Sequence, residues 1–329
     1  MCSRFGFALL LTVVLTVVSP AQQGNSDVVV QGASVNDGYG SWPTCGVDGQ
    51  IYRSPSGGRL TSVMRVSRDG STLLFNLPEG MAAGPIAPAG TGLNILSSFY
   101  STAERRLSLQ MLHFDSQADP LAQHEVTMPL QSTMAMVAMP SGRTIIAGSH
   151  WKDPGNPEDR TYGFVILDED DKLERSVDLP LPPGGGGWTF ATPHIAAGNG
   201  VAYVMLHSHE PPQTAIAAIS EKGNQILNIK VIAAPPNTET RQHEQWVFGP
   251  GVAVEMYHYT NERPHVTGRF DEYDLKTGEK IATKSATPTG FQFGCYMGDE
   301  VSMLAHSAHV DPARNLSPDT LRLVTTKLQ

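Results

Sequence analysis

The sequence predicts an all-β chain built from six copies of one four-stranded antiparallel unit, and three observations carry that expectation. An apolar strand, a tight turn and a second apolar strand recur six times. A hairpin rich in turn residues follows five of those copies. The turn markers Gly49, Gly92, Gly142, Gly200, Gly251 and Asp299 return at intervals of roughly 43 to 58 residues.

The strand-turn-strand half reads TCGVDGQIYRS from Thr44, IAPAGTGLNILSSF from Ile86 and MAMVAMPSGRTIIAGSH from Met134. It continues as HIAAGNGVAYVMLH from His194, WVFGPGVAVEMYH from Trp246 and CYMGDEVSMLAH from Cys295. The hairpin half begins at Val63, Leu109, Gly163, Ala215 and Phe270, each with apolar alternation around turns rich in Asp, Gly, Ser and Lys. A period of this length holding four short strands is that of a propeller blade. The fold class is therefore a six-bladed β-propeller.

The sixth unit lacks its last strand, since only LRLVTTKL from Leu321 follows its inner half. One strand-like stretch has no partner nearby, DVVVQGAS from Asp27 to Ser34. Pairing it outside Leu321 to Leu328 completes the sixth blade and closes the ring with both chain ends in one sheet. On these repeats the chain resembles the six-bladed β-propellers of the TolB-like and NHL-like kind found in exported bacterial proteins. The resemblance covers Asp27 to Gln329 and is architectural, so it implies a ring and no particular activity.

Arg4, the apolar run Phe5 to Val18 and the small-residue step Ser19-Pro20-Ala21 form the three-part layout of a secretory signal peptide. The apolar run is shorter than the roughly 20 residues a membrane span needs, and no later segment qualifies. The expected organisation is a signal peptide at 1–21, an N-terminal segment with the closing strand at 22–40 and the propeller at 41–329. The mature protein is then periplasmic or extracellular, with no stable membrane insertion, and a monomer. Cys45 and Cys295 remain after cleavage. They sit in equivalent positions of the first and last blades, either as a seam disulfide or as two small buried thiols.

Of the 329 residues 40% are hydrophobic and 17% charged, with a net charge of −9. That is a globular composition, and it excludes nucleic acid as a partner, because no Lys/Arg-rich face exists. If the innermost strand runs from top to bottom, the first and third turns of each blade lie at the bottom and are short. The longer connections lie at the top, which makes the top the candidate binding face.

Trp151, Trp188 and Trp246 fall on that side, and a flat indole with one N–H donor suits stacking on sugars or other rings. Trp246 also suits packing between blades. His150, His207, His258 and His306 close the second strand of four successive blades. His194, His243 and Glu244 lie near the tops of inner strands and form the best candidate metal set, though no fixed metal motif is present. No cofactor is expected, and a divalent metal is possible. The single YDLKTGEKI stretch from Tyr273 resembles a quinoprotein hairpin but lacks the docking tryptophan, so a quinone is not expected.

With no nucleophile elbow, P-loop or dinucleotide fingerprint, the expectation is a non-catalytic binding module for a glycan, peptide or partner protein. The alternative is a metal-assisted polysaccharide lyase or hydrolase using His194, His243 and Glu244 with His207 or His258.

Overall fold

The computed structural model describes residues 26–34, 43–46, 48–53, 61–101, 106–151, 153, 159–179, 188–198, 200–209, 212–222, 226–233, 241–249, 252–259, 268–286, 292–306 and 320–328. For 33–34, 188–198, 207–209, 212–214, 226–233, 241–249, 252–259, 268–269, 285–286, 292–293 and 305–306 it describes the backbone alone. The expected signal peptide at 1–21 and much of the top connections lie outside these residues.

The first strand, β1 (Ser26–Ser34), pairs with nothing that directly follows it in sequence. Blade one is β2 (Thr44–Cys45), β3 (Ile51–Arg53), β4 (Ser62–Val66) and β5 (Thr72–Asn76). Blade two is β6 (Met81–Ala89), β7 (Gly92–Ser101), β8 (Arg106–Phe114) and β9 (Pro120–Val126). Blade three is β10 (Ser132–Ala138), β11 (Thr144–Trp151), β12 (Arg160–Leu167) and β13 (Leu173–Asp178). Blade four is β14 (Trp188–Gly198), β15 (Val201–His209), β16 (Pro212–Ser220) and β17 (Ile226–Ala233). Blade five is β18 (Arg241–Gly249), β19 (Val252–Tyr259), β20 (Gly268–Asp274) and β21 (Lys280–Ala286). Blade six holds β22 (Gln292–Tyr296), β23 (Glu300–His306) and β24 (Thr320–Lys327), and its fourth strand is β1.

All pairings among the described strands are antiparallel, and blades one to five run in sequence order from the innermost strand outward, while blade six runs β22, β23, β24 and then β1. Innermost strands touch in succession, β6 to β10, β14, β18 and β22, and β22 then meets β2, which itself meets β6. That contact closes the ring.

The core is a set of layers between blades, which explains why the second strand of each blade reads as an almost continuous apolar run. In β11, Ile145 and Ala147 face blade four and pack with Val204, Leu206 and Ala217. Ile146, pointing the other way, packs with Leu96, Met111 and Val126 of blade two. Both faces of such a strand are buried, so alternation no longer separates core from solvent.

Blade six is completed as the sequence predicts. β1 lies antiparallel to β24 with Val28 opposite Leu323, and Val30 enters the core layer shared with Ile51, Val66, Leu304 and Leu323. It also reaches blade one. Gln31 N–H donates to Gly70 O at 2.9 Å, and the Thr72 hydroxyl donates to Gln31 O at 2.8 Å. Gly70 has φ +81°, and a Cβ there would lie 2.4 Å from Val29 O, so the turn needs glycine twice over.

Cys45 and Cys295 form a disulfide, with Cα atoms 5.0 Å apart. It joins β2 to β22 and so links the first and last blades covalently.

One feature of the inner strands departs from the sequence reading. β6, β14 and β18 begin at Met81, Trp188 and Arg241, several residues before the repeats detectable at Ile86, His194 and Trp246, and β10 begins at Ser132, two before Met134. Their pairings, and that of β22, carry a register shift near the upper end, for example between Thr133 and Ala135 or between Arg241 and His243. A bulge puts the residues above it out of step with those below, which breaks the period-two pattern.

Candidate functional site

At the upper end of blade three, β11 and β12 are in regular register. Ser149 pairs with Tyr162, His150 with Thr161 and Trp151 with Arg160. Directly opposed residues share a sheet face, so Ser149, Trp151, Arg160 and Tyr162 line one side and His150 the other.

On the first side the Arg160 guanidinium lies over two rings, 5.2 Å from the Trp151 centroid and 4.9 Å from that of Tyr162. Its Nε–H donates to Ser149 Oγ at 3.0 Å, fixing the plane of the fork. Each such cation–ring contact is worth about 0.5–1 kcal/mol where solvent reaches it. Burial pushes the Tyr162 phenol above its ordinary value, and the adjacent Arg160 pulls it partly back. Tyr162 is therefore a neutral hydroxyl at physiological pH.

On the other side the His150 ring is partly buried, with Nε2 3.7 Å from Asp178 Oδ1. Its Nδ1 is buried and has no hydrogen-bond partner among the described residues. The strand end is clamped by the connection from blade two. Gln131 N–H donates to Ser149 O at 3.0 Å, and its side-chain Oε1 accepts from Trp151 N–H at 2.9 Å. A half-buried indole, a cation stacked on it and an imidazole with an unused ring nitrogen thus sit on a braced strand end.

The other expected residues are placed by backbone. His207 lies in β15 opposite Thr189, with Trp188 one pair further up opposite Ser208. His258 in β19 is directly opposite His243 of β18, and Trp246 pairs with Glu255 three positions lower. His306 ends β23, opposite Leu321. His194 falls in the β14 bulge between Phe190 and Ile195, and Glu244 pairs with Tyr257. Side chains of all these residues lie outside the described ones, so the expected metal set is located only along its strands.

A second polar cluster, at the bottom face between blades two and three, escaped the sequence reading. It consists of His113, His124 and Asp171. β-alternation does show His113 and His124 sharing a face of blade two, but no local signal says which turn of the next blade meets them.

No protein-family profile and no curated protein sequence matches the chain. Solved structures are similar to it at low identity. A protein of unknown function from Bacteroides caccae is 12% identical, with 75% of this chain and 81% of that one covered at a TM-score of 0.44. A subtype N10 neuraminidase-like protein of A/little yellow-shouldered bat/Guatemala/060/2010 is 10% identical, with 92% and 96% covered at 0.46. The β-propeller domain of the Trilobed protease from Pyrococcus furiosus is 6% identical, with 70% and 65% covered at 0.42. The chain has an all-β propeller architecture, and the strand topology described above carries that statement.

Proposed function

We propose that this protein is an exported binding module that recognises a glycan on its top face, with the upper end of blade three as part of the site. The observation that supports it best is the Trp151–Arg160 pair at a clamped strand end. With the guanidinium over one face and the backbone N–H held by Gln131, the indole has its other face to offer a sugar ring, and the guanidinium supplies donors for hydroxyl or carboxylate groups. Trp188, His207, His258 and His306 extend the same face along blades four to six.

Export is supported by the signal-like N-terminus and by the Cys45–Cys295 bond, since structural disulfides persist in oxidising compartments. No helix among the described residues is long and apolar enough to cross a membrane.

A screen of oligosaccharides, with peptides and envelope proteins as further arms, tests the reading. The expected result is a glycan hit whose affinity falls at least tenfold in Trp151→Ala, a loss of about 1.4 kcal/mol. Glycan hits that bind Trp151→Ala and wild type equally would place the site elsewhere, and hits confined to the peptide or protein arms would replace the ligand class.

A further inference from the structure

We propose that His113, His124 and Asp171 form a divalent transition-metal site of the zinc type that clips blade two to blade three at the bottom face. His113 lies near the lower end of β8 and His124 in β9. In that hairpin His113 is opposite Ala122 and His124 opposite Met111, so both imidazoles emerge from the same sheet face. That face carries Leu96 and Met111, which pack on Ile146 and Val165 of blade three. Asp171 arrives from the opposite side, in the β12–β13 turn. One carboxylate oxygen, Oδ2, lies 2.6 Å from His113 Nε2 and 2.7 Å from His124 Nδ1. The three donor atoms all lie within 4.8 Å of one another.

His113 Nδ1 is 2.9 Å from Asn94 Oδ1, which occupies the directly opposed position on β7. With Nδ1–H donating to that amide oxygen, Nε2 is the ring nitrogen that faces Asp171 and is left for a metal ion. A ring N–H donated to a neighbouring oxygen is also how metal-ligating histidines are held in the right tautomer, which gives Asn94 its role.

Bonds of about 2.1 Å in a tetrahedral shell put neighbouring ligand atoms roughly 3.4 Å apart. Asp171 therefore withdraws by less than an ångström, and the two ring nitrogens, within 4.8 Å of each other, settle to the same spacing to admit the ion. Two imidazoles and one carboxylate suit Zn²⁺ and its neighbours, while Ca²⁺ and Mg²⁺ require oxygen shells. The Asp171 side chain is 2% exposed and that of His124 44%, so the carboxylate is buried and one side of the site is open to water.

Asp171 holds the third position of its turn at φ 61°, the conformation that Ala118 takes at φ 67° in the β8–β9 turn and glycine takes at Gly70 and Gly142, and it turns its carboxylate toward blade two. The site is separate from the top-face reading and shares no residue with His194, His243 and Glu244.

The test is calorimetric titration of the chelator-treated mature chain with ZnCl₂, alongside Asp171→Asn and His124→Ala. Asparagine keeps the size and the backbone tolerance of aspartate, so Asp171→Asn preserves the turn, and far-UV circular dichroism checks that both variants fold. One equivalent of Zn²⁺ bound at micromolar Kd or tighter is expected, weakened at least tenfold in each variant. A Co²⁺ titration is expected to give visible absorption bands in wild type alone. Absence of saturable Zn²⁺ binding, or binding that both folded variants retain at wild-type affinity, overturns the proposal.

Discussion

Arg322 of β24 donates from Nε to the Asp27 carboxylate of β1 at 2.5 Å, and its side chain is only 3% exposed. The residues are 295 positions apart and belong to the two ends of the chain. Their pairing turns a row of repeats into a ring, because β1 is the fourth strand of the last blade.

Asp27→Ala leaves a buried guanidinium without its carboxylate. Loss of one partner of a buried pair costs about 3 kcal/mol. A chain lacking residues up to 40 loses the whole strand and is expected to fare worse. Thermal unfolding of both variants checks this, with the truncated form melting lowest.

The Cys45–Cys295 bond constrains a separation of 250 residues. Its removal, by reductant or by the double substitution to serine, is expected to destabilise the protein by about 2–5 kcal/mol. Denaturant titration with and without reductant measures the difference, and the double serine variant is expected to be insensitive to reductant.

Gly148 in β11 faces the backbone of β10 so closely that an added Cβ would lie 2.2 Å from Ser132 O. Neither strand can yield without breaking its ladder. Gly148→Ala is expected to cost about 2–3 kcal/mol by overpacking. Unfolding midpoints read the loss, and weaker ligand binding at the neighbouring Trp151 is expected with it.

Asp274 caps the β20–β21 turn, its carboxylate accepting from the Thr277 N–H at 2.7 Å and the Lys276 N–H at 2.8 Å. The Thr277 hydrogen bond is the main reason its pKa lies below the ordinary aspartate value. A lowered folded-state pKa stabilises the fold above the unfolded value of about 3.9 and gives that stabilisation up as pH falls through the folded value. The melting-temperature gap between wild type and Asp274→Asn is therefore expected at pH 6 and should close as pH drops below about 4.

Much of the ring was legible in the sequence because propeller repeats restate themselves. Each glycine-marked turn supports the others, and the unpaired Asp27 to Ser34 strand matched the strand missing after Leu328. Their equivalent positions put the two cysteines at the seam but left open whether they bond. The bulges in the inner strands were not legible, since they move the alternation out of phase above Ile86 or Met134. Buried charge was hidden too, because Arg322 reads as a solvent-facing residue until its partner on β1 is in place. His113, His124 and Asp171 depended on how one blade stacks on the next, and strand periodicity carries no information about that.

The central functional claim is that ligand meets the top of blade three. Hydrogen exchange with and without the best oligosaccharide from the screen tests it most directly. The account predicts added protection in the segment from Ser149 to Tyr162, with none at the bottom turns Asp115 to Asp119 and Asp168 to Lys172. Protection confined to those bottom turns would contradict it.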